Sequence, residues 1–141
     1  MATLKKLMIG GAALVALGSS RSTLDTDYLV NDTASKLPFI HIKESNEDLC
    51  NANGHKFFAE IWKMESKNIG PLASPQALLE LKAFALVQHC LNGHWSKADN
   101  DEFDMKFLVR NFNLTGVSIV KKYISAGELM EVEKVIKSVR K

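Results

Sequence analysis

Cysteine, charge of one sign and long apolar runs are all scarce in this chain. Two cysteines in 141 residues, Cys50 and Cys90, exclude a dense disulfide framework and the paired C-x2-C zinc modules. A formal charge of +2, from 18 basic and 16 acidic side chains, is too small for the electrostatic footprint of a nucleic-acid binder. The uncharged run Leu7–Leu17 spans eleven residues, against the ~20 needed to cross a bilayer, so no stable transmembrane span is expected. The chain has no G-x-S-x-G elbow and no nucleotide-binding glycine fingerprint, so no cofactor is expected.

What is present at the N-terminus reads as a secretory leader. Lys5 and Lys6 form a basic start, the uncharged run follows, and Ala16-Leu17-Gly18 places small residues where a signal peptidase reads them. The expectation is a signal peptide over residues 1–18, cleaved before Ser19. It implies a periplasmic or secreted protein, with a bacterial envelope favoured by the Lys-Lys start. The leader holds two of the 18 basic residues and no acid, which leaves 16 of each sign in the rest. The C-terminal lysines Lys121, Lys122, Lys134 and Lys137, with Arg140 and Lys141, alternate with Glu128, Glu131 and Glu133, as on a solvated helix face.

About 123 residues then remain, enough for one core. Residues 19–44 are expected to form an extended arm, rich in Ser, Thr and Asp, with "LPFIHIK" as a short strand or an extended lead-in. Residues 45–141 are expected to form a helical domain. Ser45 and Asp48 resemble a capping box ahead of a helix reaching about Lys67. Ser74-Pro75 opens a second helix that stops at Asn92-Gly93. A third starts near Asp99–Asp101 and buries Phe103, Phe107, Leu108 and Phe112. Residues 115–125 read as helix or strand, and Gly127 precedes a final helix. The expected fold class is mainly α: a small orthogonal bundle of four to five helices, stapled by one disulfide.

The cysteines and histidines supply the chemistry to weigh. Cys50 and His55 stand as C-x4-H, Cys90 and His94 as C-x3-H, a set that could ligate zinc, although mixed halves are an uncommon spacing. A Cys–His catalytic pair needs a thiolate in a cleft, and neither cysteine carries a nucleophile signature. In an exported chain the simplest outcome is a Cys50–Cys90 disulfide. Its loop of about 40 residues would contribute roughly 4 kcal/mol on the chain-entropy model. "DNDEFD" from Asp99 fails as a calcium loop, because Phe103, Asp104 and Arg110 fall where ligand, glycine and closing acid belong. Asn31 and Asn113 begin N-x-T sequons, meaningful only in a eukaryotic secretory pathway.

These features point to an exported, non-enzymatic protein-binding module: an inhibitor or immunity factor, a chaperone, or an accessory subunit of an envelope complex. Its partner would be another protein, met by His94 and Trp95 in the loop after Gly93. The alternatives are a Cys–His or zinc-dependent enzyme, and a membrane-associated subunit that keeps its leader.

Overall fold

The computed structural model describes residues 4–23 and 26–139. The chain divides between Ser74 and Pro75 into two compact units. The first is α/β and the second is helical. The expected all-helical bundle is therefore corrected: among the described residues, 53% of them helical when the short 3-10 turns are included, five α-helices accompany a four-stranded mixed sheet.

The first unit begins inside the expected leader. Leu7–Ile9 forms strand β1 and Gly10–Ala16 helix α1. Thr26–Val30 (β2), Phe39–Ile42 (β3) and Glu47–Asn51 (β4) complete a sheet of order β1-β2-β4-β3. β1 runs antiparallel to β2, β2 parallel to β4, and β3 antiparallel to β4. The arm expected over 19–44 is thus two strands of the sheet, and the helix expected from Ser45 begins as β4. The turn between β3 and β4 places Asn46 at φ 53°, a conformation that Asn tolerates better than most residues.

Leu7, Ile9, Ala13, Leu14, Leu29, Val30 and Leu49 are buried together with Phe57, Phe58 and Ile61 of helix α2, Lys56–Met64. Asn51 is fully buried and ties the segment before β3 to the turn after β4. Its Oδ1 accepts from the Asp32 N–H at 2.8 Å and from the Asn53 N–H at 3.2 Å, and its Nδ2 donates to the carbonyls of Asp32, Ser35 and Leu37. Gly54 follows because a Cβ there would sit 2.6 Å from the Leu37 carbonyl oxygen.

The second unit consists of α3 (Pro75–Leu91), α4 (Trp95–Phe112) and α5 (Ala126–Val139). Ala77, Leu78, Leu79, Ala83, Leu86 and Val87 of α3 are buried, as are Ala98, Met105, Leu108 and Val109 of α4 and Val132 and Ile136 of α5. α4 starts four residues before Asp99, and Phe103 is exposed rather than core. α5 carries a reciprocal cap: the Ser125 N–H donates to Glu128 Oε1 at 2.7 Å, and the Glu128 N–H donates to Ser125 Oγ at 3.1 Å.

Between α4 and α5 the chain is neither a regular helix nor a strand. Glu80, fully buried on α3, accepts the backbone N–H groups of Ser118 at 2.8 Å, Ile119 at 3.1 Å and Val120 at 2.9 Å. One carboxylate so replaces the ladder those donors would otherwise need. Among the described residues no helix is long and apolar enough to cross a membrane.

Candidate functional site

The four residues proposed from sequence as a metal or thiol site do not form one. Cys50 lies on β4 and His55 caps α2, its Nδ1 accepting the Phe57 N–H at 3.2 Å. Cys90 lies in the last turn of α3, and His94 precedes α4 with no side-chain capping bond. Among the described residues no group of three or more His, Cys, Asp or Glu side chains is placed to hold a metal ion. The expected Cys50–Cys90 staple is also corrected: both cysteines are free thiols. The sequence reading put Cys50 on a helix, whereas it occupies an interior strand flanked by β2 and β3.

The two thiols differ in character. Burial, reinforced by the negative charges of Asp27 and Asp48, pushes the Cys50 thiol up to about 12. Cys90 is exposed, and its thiol is raised first by partial desolvation and then by Asp101, Asp99, Glu102 and Glu131. Iodoacetamide at pH 8 should therefore carboxamidomethylate Cys90 and leave Cys50 intact until the protein is denatured. Peptide mass mapping reads this directly. Protection of both thiols until reduction would restore the disulfide.

Trp95, expected as a partner contact, is 64% exposed at the start of α4. Beside it, the His94 N–H donates to the His89 carbonyl at 2.8 Å, and the two imidazoles lie 6.0 Å apart. His55 is packed 4.6 Å from the Phe58 ring, and its burial lowers the imidazole pKa.

A different group of polar residues converges in the first unit. Paired positions run across the sheet as Ile9, Asp27, Asp48 and His41, one residue from each strand. Paired residues share a face, so Asp27 and Asp48 stand side by side on adjacent parallel strands, about 4.8 Å apart in backbone spacing. Both are half-buried. His41 Nδ1 lies 2.7 Å from Asp48 Oδ1 at the outer end of the row. At the inner end the chain leaves β1 through Gly10 at φ 67°, where a Cβ would come 2.5 Å from Asp27 Oδ2. No residue with a side chain fits that position. On the next residue a Cβ would meet the Arg21 guanidinium at 3.0 Å and Thr23 Cβ at 3.1 Å. A glycine pair is thus wedged between a carboxylate and a guanidinium.

No family model, no curated protein and no solved structure matches this chain. The chemistry of this corner must stand on its own residues. Two adjacent carboxylates offer hard oxygen ligands, which suit Mg²⁺ or Mn²⁺ rather than zinc. Arg21 offers the planar fork that pairs with phosphate oxygens. The glycine pair lets the Asp27 carboxylate and the Arg21 guanidinium pack close against the backbone.

Sequence reasoning missed this group because Gly10-Gly11 was assigned to the apolar core of a leader. A signal was present: a glycine pair after a short apolar segment, then Arg21, Thr23 and the alternating acids Asp25 and Asp27. Asp25 lies outside the described residues.

Proposed function

We propose that the first unit carries a divalent-metal-dependent phosphoryl-transfer site for a nucleotide or a similar polyphosphate. The observation that carries the reading is the pairing of Asp27 with Asp48 beside Gly10 and Gly11 at the start of α1. Mg²⁺ is commonly held by one or two carboxylates, with phosphate oxygens and waters completing its shell. Two protein carboxylates are therefore enough, and a cage of three or more is not required. Asp27 and Asp48 would hold the metal, while Arg21 would receive phosphate oxygens. In the reaction an acceptor hydroxyl oxygen forms the new P–O bond. The P–O bond to the leaving nucleoside diphosphate (attack at the γ-phosphorus) or pyrophosphate (attack at the α-phosphorus) breaks, its electron pair departs with that group, and the hydroxyl proton passes to water. The protein's part is positioning and charge neutralisation.

The test has two readouts. Mn²⁺ binding, followed by electron paramagnetic resonance, should tighten when ATP is added. Asp27→Asn and Asp48→Asn should each abolish that enhancement. Incubation with α- and γ-labelled nucleotides then separates nucleotidyl from phosphoryl transfer, and each variant should lower the rate by about 100-fold or more. Mn²⁺ bound equally by wild type and variants, with no label transferred, would overturn the proposal.

This reading requires residues 4–18 to stay on the chain, because Gly10 and Gly11 belong to the site. Export with cleavage before Ser19 is the competing proposal. A protein-binding role is a second reading, supported by apolar exposure in the second unit: Leu91, Trp95 and Phe103 are each exposed. The two roles are compatible, since they use different units.

A further inference from the structure

The second unit has a groove whose lining matches neither a phosphate nor a metal. Its volume is about 490 Å³, within the range of small-molecule sites and above that of a packing defect. Its apolar surface comes from Leu86, Val87 and Leu91 on α3 and from Val132 and Val135 on α5. Val132 is fully buried and Leu86 and Val87 nearly so, which makes the floor fixed rather than loose. Three carboxylates also line it, Glu102 from α4 and Glu128 and Glu131 from α5, against one ammonium, Lys134. Lys134 already lies 3.2 Å from Glu131, and Glu102 lies 3.3 Å from Lys106. Glu128 accepts the Ser125 N–H. The rim therefore keeps an excess of negative charge over an apolar floor.

The same carboxylates bear on Cys90. It lines the same groove, and after desolvation the causes raising its thiol pKa are all carboxylates, two of them Glu102 and Glu131. An anionic amphiphile would meet this potential unfavourably. A neutral one would gain only the floor. A cation with an apolar tail satisfies both.

We propose that the groove between α3 and α5 is a binding site for a small amphiphilic amine, with its alkyl body on the valine–leucine floor and its ammonium among Glu102, Glu128 and Glu131. The proposal does not depend on the phosphoryl-transfer reading.

Octylammonium, octanol and octyl sulfate share one tail and differ only in the head group. Titrated calorimetrically against the full chain, octylammonium should bind at least about tenfold more tightly than octyl sulfate, with octanol between them. The Glu102→Gln/Glu131→Gln double variant should close that gap and leave octanol binding unchanged. Both side chains are at least partly exposed, so the variant keeps its core. Saturating octylammonium should also slow carboxamidomethylation of Cys90 about tenfold, while octyl sulfate does not. Three probes that bind alike, or octylammonium that binds without protecting Cys90, would sink the proposal. So would a basic leucine–lysine helical peptide that protects Cys90 where octylammonium fails, since the occupant would then be a protein segment.

Discussion

A chain beginning at Ser19 is expected to lose the cooperative unfolding of its first unit. The truncation deletes β1 and α1, and with them Leu7, Ile9, Ala13 and Leu14, all buried. Each large aliphatic side chain contributes about 1.5–3 kcal/mol by leaving water. Three of them supply a sum comparable with the whole net stability of a small domain, ~5–15 kcal/mol. The loss does not end with the deleted residues. β2 is left with one hydrogen-bonding partner instead of two, and Leu29 loses Leu7, its partner across the pair. The Met8 N–H and carbonyl, which bond to Pro71 and Ala73, vanish as well. Lys6 leaves Glu47 without its ammonium at 3.2 Å, a smaller effect because that pair is partly exposed. Hydrogen exchange of purified protein starting at Ser19 should show residues 26–64 exchanging at near-unfolded rates, with α3 to α5 still protected. A stable sheet in that protein would instead support cleavage and export, and would remove Gly10–Gly11 from any site.

The same segment explains what was legible in the sequence and what was not. A basic pair, an apolar run and small residues satisfy the local signature of a leader, yet the same composition suits an edge strand entering a short buried helix. Local pattern cannot separate the two, and the pairing with β2 shows only how the segment packs while it is on the chain. β2 and β4 are parallel neighbours with β3 between them in sequence, so no tight hairpin marks their pairing. β4 reads Glu-Asp-Leu-Cys-Asn, too polar and too short to announce a strand. Its Asp48 belongs to the carboxylate row and its Asn51 to the clamp on residues 32–37.

Helix boundaries, in contrast, have local causes, and Pro75 and Gly93 fell where those causes put them, whereas α5 begins at Ala126 under the Ser125–Glu128 cap and takes Gly127 into its first turn. The 115–125 stretch failed for a tertiary reason: its amides answer to Glu80, some 40 positions earlier. The candidate site was half-legible for the same cause. Its glycines, arginine and aspartates are all in the first 48 residues, but only the sheet sets Asp27 beside Asp48.

Lys82→Met is expected to destabilise the second unit by about 3–5 kcal/mol, the usual cost of removing one partner from a buried ion pair. Lys82 Nζ lies 2.9 Å from Asp104 Oδ2 and 3.6 Å from Asp101 Oδ1, with the lysine side chain 13% exposed and Asp104 fully buried. His89 Nδ1 completes the group, 2.5 Å from Asp101 Oδ2. Burial holds the Asp101 carboxyl above its ordinary value, Lys82 and His89 oppose that rise, and Asp104 adds to it. Removing the ammonium leaves burial and the charge of Asp104 to drive the Asp101 carboxyl further up. A carboxyl whose folded pKa exceeds its unfolded value binds more protons when folded, so stability falls as pH rises between the two values. The deficit of the variant should therefore be greatest at neutral pH and shrink toward pH 4, which urea titrations at a series of pH values would show. Lys82→Met/Asp104→Asn should recover most of the loss, because both charges then leave the interior together. Additive losses, or a deficit that does not change with pH, would mean that Lys82 acts through the packing of its methylenes rather than through its charge.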